Sequence, residues 1–393
     1  MVILLTNFLL FLIPTFVILR RDKSFNINLF LLLVYAFFAF TAVLGIDADI
    51  YTWTYYQRVD LSIVPYLYFN LCFWLFIIPI WKIDSNNLKI FITKQQTNIL
   101  FFSSIIFFSI SIAVNINDAL NVADLKEAYL YGSEVRSGMK GWSVNMAKIF
   151  SPFANMLVFF FLTRDNKKVV KSLILLSLIL LEGYIRMSNY GSRGIAFFLF
   201  SDIIISYLIF ASLISRRVKR VVVAVVVIGL SVFISAILAI SEARFGGDRM
   251  INWILSYFSE PFINFGTIFW NSPQFFYGQF TFGTEADLPD TKVPLFLFKT
   301  FVGNLYLDFR VVGSILFLIL IALMHSFFLR KVNSKTSSVA FRDVFVYFII
   351  VKIIFTGIFT FVVFAYYEYI GWIFIYFVLL GKRKFVLLKS KEI

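Results

Sequence analysis

Cysteine, histidine and charged residues are scarce in this chain of 393 residues. The one cysteine, Cys72, lies inside an apolar run, which excludes a disulfide framework and a cysteine-based metal site. Charged residues make up only 15% of the chain, against about 25% in soluble domains. The mean hydropathy is +0.87. These values exclude an ordinary soluble protein and predict an all-α polytopic integral membrane protein.

The basic residues indicate how the chain is oriented. The net charge of +14 would suggest nucleic-acid binding in a soluble protein, but here the lysines and arginines lie in short clusters between apolar runs. Such clusters collect on the cytoplasmic side of a membrane, so we predict no nucleic-acid partner. The clusters fall at 20–23, 82–94, 164–171, 216–220, 330–335 and 382–391. One topology places all of them in the cytoplasm.

Apolar runs of roughly the ~20 residues that cross a bilayer predict about eleven transmembrane helices. The first run is followed at once by basic residues, which is the reverse of a signal peptide, so we expect it to be a retained span. The predicted spans are 2–19, 27–46, 62–80, 97–115, 146–163, 172–186, 194–212, 221–240, 311–328, 344–361 and 364–380. His325 falls near the cytoplasmic end of its span, and we interpret it as structural.

The segment 241–310 is the longest mixed stretch between the apolar runs. It combines charged residues and aromatics with four prolines, Pro261, Pro273, Pro289 and Pro294, which forbid one continuous helix. Its backbone needs water or protein partners, so it cannot lie against lipid. We predict that 1–393 is a single membrane domain and that 241–310 is an extracytoplasmic cap that forms part of the active site.

Arginines on the predicted outer face are candidates for binding phosphate. Arg193 lies between Gly191 and Gly194 just before an apolar run, and Arg244 and Arg249 flank a glycine pair. A guanidinium offers a planar fork of donors that suits a diphosphate, and the glycines let an anion approach the backbone. The alternatives are an arginine that snorkels to the interface and a solvated loop whose arginines pair with neighbouring acids.

Two other outer loops carry further candidates. Arg136, in an outer loop with nearby lysines, is a second anion-binding candidate, or simply a solvated residue. Asp47 and Asp49 could hold a cation or act as a base, although two carboxylates at a helix end are ordinary. The nearby Tyr51 and Tyr55 could stack on sugars or form an interfacial aromatic belt.

Charges within or beside the spans complete the candidate set. Asp308 and Arg310 lie where the chain re-enters the membrane, and such charges are costly unless they are paired or functional. We predict that Asp308 orients or deprotonates an acceptor hydroxyl, with a direct Asp308 to Arg310 interaction as the alternative. Glu182 and Arg186 have the spacing of a helical ion pair, and we expect this pair to support the Arg193 region.

Five short motifs resemble the O-antigen and capsule polymerases of the Wzy type, also called oligosaccharide repeat unit polymerases. They are R-S-G-M-K-G from Arg136, G-S-R-G from Gly191, R-M-I-N-W-I-L-S-Y-F-S-E-P from Arg249, Y-L-D-F-R-V-V-G from Tyr306, and the G-x-D-x-x-x-Y-x-x-x-Y spacing from Gly45. The similarity extends over nearly the whole chain as topology.

This resemblance implies a GT-C-like membrane glycosyltransferase that needs neither metal nor cofactor. Its substrate would be an undecaprenyl-pyrophosphate-linked oligosaccharide, polymerised outside the bacterial inner membrane. Arg136, Arg193 and Arg249 would hold the pyrophosphate, with Arg244 as a further member. Arg193 and Asp308 are the predicted catalytic residues, and the predicted substrate-binding set also includes Asp47, Tyr51, Tyr55 and Arg310. Membrane lipid and a polysaccharide chain-length regulator are candidate partners.

Two rival functions stay open. An O-antigen ligase shares the architecture and looks to use a histidine in its large outer loop, but 241–310 contains none. A flippase for lipid-linked oligosaccharide would carry charged residues through its spans, reachable from both sides of the membrane. The candidate anion ligands in this sequence gather on one face, which favours the polymerase.

Overall fold

Apolar helices build nearly the whole described chain. The computed structural model describes residues 1–22, 25–45, 61–81, 83, 88, 90–120, 139–163, 168–190, 193–245, 250–282, 298, 300–333, 339–359 and 366–379. The helices are α1 (Val2–Asp22), α2 (Ile27–Gly45), α3 (Val64–Trp81), α4 (Lys94–Leu120), α5 (Met139–Leu162), α6 (Val169–Tyr190), α7 (Arg193–Phe210), α8 (Arg216–Phe245), α9 (Met250–Asn264), α10 (Gln279–Phe282), α11 (Thr300–Asn333), α12 (Phe341–Thr356) and α13 (Tyr366–Phe374).

Short irregular elements join or extend these helices. A 3₁₀ turn, Ala211–Leu213, follows α7, and single π-helical turns, Phe265–Phe269 and Ile375–Leu379, extend α9 and α13. Two-residue strands, β1 (Ile90–Phe91) and β2 (Val339–Ala340), pair in parallel with Ile90 opposite Val339. This pair lies just before α4 and α12, so it ties together the predicted cytoplasmic starts of two helices.

Eight helices in the described ranges are long and apolar enough to cross a membrane. Their spanning ranges are Val2–Arg20, Ile27–Gly45, Val64–Trp81, Lys94–Asn117, Lys140–Leu162, Gly194–Leu213, Arg216–Ser235 and Thr300–Val332. The prediction of an all-α polytopic membrane protein is therefore confirmed. The other three predicted spans fall on α6, α12 and α13, so a total of eleven and the GT-C-like architecture stay predictions.

Aromatic side chains from four helices form the centre of the bundle. Phe11 of α1 packs against Tyr35 of α2 and Phe73 of α3, with ring centroids 5.7 and 5.2 Å apart. Phe262 of α9 lies 5.9 Å from Phe11. The Tyr35 hydroxyl donates to the Ile354 carbonyl at 2.8 Å, which satisfies its polar end inside the core and links α2 to α12.

Helix α11 folds back on itself at Arg310. Arg310 has φ 56° and ψ −169°, which is not helical. Phe301, before Arg310 in the chain, and His325, after it, both pack on the Phe76 ring, with centroid distances of 4.8 and 5.9 Å. In a straight helix these two residues would be about 36 Å apart. We name 300–309 the short arm and 311–333 the long arm. The short arm therefore begins deep in the bundle and runs back towards the predicted outer face.

Parts of the described 241–310 segment pack into this bundle, although Tyr277 is 80% exposed. Phe262, Phe265 and Phe269 are fully buried, as is Phe301 at the start of the short arm. Asn264 donates to the Phe298 carbonyl at 3.2 Å, which joins α9 to the approach of the short arm. These parts of the predicted cap therefore line the interior of the helical body.

Candidate functional site

The predicted site residues divide into three groups by what the structure describes. Arg193 is the first residue of α7 and Arg244 lies in the last turn of α8, and the backbone of each is described as helical. Asp308 and Arg310 lie in α11 with their side chains described. The others, Arg136, Arg249, Asp47, Tyr51 and Tyr55, lie outside the described residues. The gathering of arginines on the outer face therefore stays a prediction.

Asp308 is fully buried and anchors the short arm to α10. One carboxylate oxygen, Oδ2, accepts the backbone N–H of Thr281 at 2.7 Å and its hydroxyl at 2.6 Å. Short hydrogen bonds to a carboxylate are strong because the acceptor is charged. In this arrangement Asp308 holds α10 in place, and its Oδ2 is occupied by Thr281.

Arg310 closes the fold of α11. Its guanidinium donates to the Ser272 carbonyl at 2.8 Å and to the Gln274 carbonyl, and it lies over the Tyr306 ring at 5.1 Å. These contacts bind the segment after the Phe265–Phe269 turn to the kink. A positive φ is unfavourable for a residue with a side chain, so these hydrogen bonds stabilise a strained backbone. The contacts of Asp308 and Arg310 thus brace two different neighbouring segments.

A narrow cleft with polar side chains in its lining lies between α4, α5 and α6, and it has no room for a water molecule. Its lining consists of Ser111, Asn115, Val144, Glu182, Ile185, Arg186 and Asn189. The predicted helical ion pair is confirmed, with Arg186 Nη2 3.6 Å from Glu182 Oε2. The Ser111 hydroxyl donates to Glu182 Oε1 at 3.5 Å. Both contacts are long, so the Glu182 carboxylate is held loosely.

Amide side chains fix the walls of this cleft. Asn189 donates to the Asn115 carbonyl at 3.0 Å, and the Asn115 side chain donates to the Ser143 hydroxyl at 3.2 Å. The contacts join α6 to α4 and α4 to α5, near the ends that the basic clusters assign to the outside. Arg193 follows three residues after Tyr190, the end of α6. The cleft therefore lies beside the start of the Arg193 helix.

Deeper in the bundle, an ion pair joins α7 to α12. Lys352 Nζ lies 2.7 Å from Asp202 Oδ2, and the two side chains are 11% and 5% exposed. Each stands in an apolar run, Asp202 midway along α7 and Lys352 one turn before the end of α12. A charge at this depth is expensive in lipid unless it is paired, which the short distance provides.

Two further ionisable residues connect the cleft with this pair. Lys148 of α5 donates to the Tyr367 hydroxyl at 3.4 Å and interacts electrostatically with Arg186 and Glu182. Glu368 of α13 interacts electrostatically with Lys352 and Lys148. We name Lys148, Glu182, Arg186, Asp202, Lys352 and Glu368 the buried charge network. Its three acids and three bases balance in formal charge, which lowers the cost of burying them.

The sequence pattern predicts only one pair of this network, Glu182 and Arg186. Lys148, Asp202, Lys352 and Glu368 are not among the predicted site residues. The available signal was a single charge inside an apolar run, as in F-I-I-V-K-I-I-F around Lys352. Among the residues with described positions, no group of three or more histidine, cysteine, aspartate or glutamate side chains could hold a metal ion.

The apolar helices, with charges paired inside the bundle, define a multi-pass all-α membrane protein. A scan against family models, a search of curated proteins and a search of solved structures each found no match to this chain.

Proposed function

We propose that this protein is a polysaccharide polymerase of the bacterial inner membrane. It transfers a growing glycan from undecaprenyl pyrophosphate to a sugar hydroxyl of the next lipid-linked repeat unit, on the extracytoplasmic side, to make O-antigen or capsular polysaccharide. The observation that carries the proposal is the polar cleft with Arg186, located beside the glycine-flanked start of the Arg193 helix. The motifs that resemble polymerases support it independently.

The chemistry of this reaction fits the residue types present. The pyrophosphate is already a good leaving group, so the enzyme must mainly neutralise it and hold the acceptor hydroxyl in line. In this proposal Arg193 holds the pyrophosphate, together with Arg136, Arg244 and Arg249. No metal or cofactor takes part in the proposed reaction.

The direct test is a polymerisation assay with purified protein in lipid vesicles. The substrate is the undecaprenyl-pyrophosphate-linked repeat unit of the protein's own locus, and the product is a ladder of lengthening glycans. Arg193→Ala should reduce ladder formation about 10²- to 10³-fold, because a fixed donor to developing negative charge is lost. Arg217→Ala, an exposed arginine at the opposite predicted face, is the matched control and should keep wild-type activity.

The outcomes of this assay separate the alternatives. A wild-type ladder that Arg193→Ala leaves unchanged would disprove the proposed role of that arginine. If wild-type protein makes no ladder but moves the same lipid across the vesicle membrane, the polymerase proposal is wrong. A ladder that forms in the presence of a chelator would support metal-independent chemistry.

A second candidate is a transporter for the same lipid-linked oligosaccharide, and the buried charge network favours it. Charges inside spans are typical of transport pathways, and a short helix that begins at membrane depth is typical of transporter sites. The Asp202 to Lys352 pair is buried between apolar stretches of α7 and α12, where a pathway through the bundle would pass. The transport arm of the vesicle experiment tests this candidate directly.

A further inference from the structure

The proposed glycosyl transfer requires a base, and the described carboxylates differ in their ability to serve as one. A base must reach the acceptor hydroxyl and must keep an oxygen able to accept its proton. Asp308 is fully buried and its Oδ2 accepts two short hydrogen bonds from Thr281. Asp202 is held by Lys352 at 2.7 Å. Among the described residues, Glu182 has two long contacts, at 3.5 and 3.6 Å, besides its electrostatic interaction with Lys148.

The surroundings of Glu182 suit a hydroxyl group. Within the described residues, Arg186 Nε and Asn115 Oδ1 are buried and have no hydrogen-bond partner. Arg186 Nε is a donor that can bond to the oxygen of the acceptor hydroxyl, whose single hydrogen is then left for a Glu182 oxygen. Asn115 Oδ1 is an acceptor that can bond a neighbouring hydroxyl of the same sugar. Both residues line the same cleft as Glu182. Unpaired buried polar atoms are costly, so a ligand that pairs them gains affinity.

The order of these residues along α6 provides a route to Glu182. Arg186 lies one helical turn nearer the predicted outer end than Glu182, and its side chain is 12% exposed against 4% for Glu182. A substrate that enters from the outside therefore meets the guanidinium first. Because the cleft has no room for a water molecule, a hydroxyl reaches the carboxylate when the Arg186 side chain moves. Among the described residues, this movement breaks the long 3.6 Å contact with Glu182.

We infer that Glu182, and not Asp308, is the residue that accepts the proton of the acceptor hydroxyl. The inference rests on the proposed polymerase function. In the step, the acceptor O–H bond breaks and its proton goes to a Glu182 oxygen. The acceptor oxygen bonds to the anomeric carbon of the donor sugar. The bond from that carbon to the phosphate oxygen breaks, and the lipid pyrophosphate leaves with the electron pair. The proton on Glu182 then passes to water at the outer face.

The experiment compares Glu182→Gln with wild type in the polymerisation assay, and it measures binding of the lipid-linked repeat unit separately. Loss of a base should reduce turnover about 10²- to 10⁴-fold. Binding of the lipid-linked unit should change by only a few fold. Asp343→Asn is the matched control, since Asp343 lies 3.8 Å from Arg342 at the predicted cytoplasmic face and should leave turnover unchanged.

Chemical rescue separates a base from a structural residue. In Glu182→Ala, added formate supplies a small carboxylate and should restore part of the lost turnover, whereas formate should not change the wild-type rate. Glu182→Asp keeps a carboxylate and should retain intermediate activity. Wild-type turnover in Glu182→Gln, or equal loss in all three variants without rescue, would overturn the inference. An inactive wild-type protein would instead overturn the polymerase proposal.

Discussion

Replacing Asp202 with asparagine should destabilise the helix bundle, because Lys352 would keep its charge inside the protein without its closest counter-ion. The two side chains meet at 2.7 Å, and both are almost fully buried. Water therefore cannot replace the lost carboxylate. The asparagine has nearly the same shape, so the substitution tests the charge and not the packing.

The size of the effect follows from the burial of the pair. Removing one partner of a buried ion pair typically costs about 3–5 kcal/mol. Glu368 also interacts with Lys352 and would compensate in part, so we expect a loss near the lower end, about 3 kcal/mol. That loss corresponds to about a hundredfold change in the folding equilibrium.

The double replacement Asp202→Leu with Lys352→Met distinguishes a lost pair from an uncompensated charge. Both polar groups are removed together, so the double variant should recover to within about 1 kcal/mol of wild type. Unfolding can be followed in mixed detergent micelles by the fluorescence of the 7 tryptophans. Arg217→Gln, at an exposed position, is the control and should change stability by less than about 0.5 kcal/mol.

Two results would refute this reasoning. If Asp202→Asn were as stable as the control, the pair would not hold α7 against α12. If the double variant were less stable than each of its two single substitutions, the ion pair itself would stabilise the folded protein. The buried charge would then not be the main source of the loss.

Three further substitutions test other contacts with the same unfolding measurement. Thr281→Val removes the hydroxyl donor to Asp308 and should lower the free energy of unfolding by about 1.5–3 kcal/mol. Thr281→Ser keeps the donor and should retain most of the stability, so equal losses in the two variants would contradict the hydrogen bond. Arg310→Ala should be about 1 kcal/mol less stable than Arg310→Gly, because glycine adopts φ 56° without strain. If the alanine variant were the more stable one, backbone strain at position 310 would be excluded. Gly266→Ala would place a methyl group 2.7 Å from Cζ of Tyr66 and should lower the free energy of unfolding by about 1–3 kcal/mol. The loss should be smaller in a Tyr66→Leu background, where the clashing ring is absent.

The predictable part of the fold was the part determined by local composition. Long apolar runs predicted the helices because a bilayer requires backbone groups to be satisfied within each segment. The ion pair of Glu182 and Arg186 was predictable for the same reason, since its spacing lies within one helix. Both conclusions needed only neighbouring residues.

The contacts that define the candidate site depend on distant parts of the chain. A lone lysine in an apolar run could have marked Lys352 as paired or functional, but nothing local names Asp202 as its partner, 150 positions away. The kink of α11 at Arg310 was equally unpredictable from the sequence, because arginine does not favour a positive φ. The backbone strain at Arg310 is offset by hydrogen bonds from its guanidinium to the carbonyls of Ser272 and Gln274, in a segment for which the sequence predicts no regular structure.

The short arm of α11 and helix α12 have a consequence for the order in which the chain folds. The arm rises about 15 Å and α12 about 24 Å, so neither crosses the ~30 Å hydrocarbon core alone. The N–H groups of Thr300 and Phe301 donate to the carbonyls of Phe359 and Gly357, at 2.8 and 2.7 Å. The ribosome makes those carbonyls only after α11, so the arm's first two donors lack these acceptors until α12 arrives. A protein truncated before Phe341 could insert its early helices and still leave the centre of the bundle unfinished.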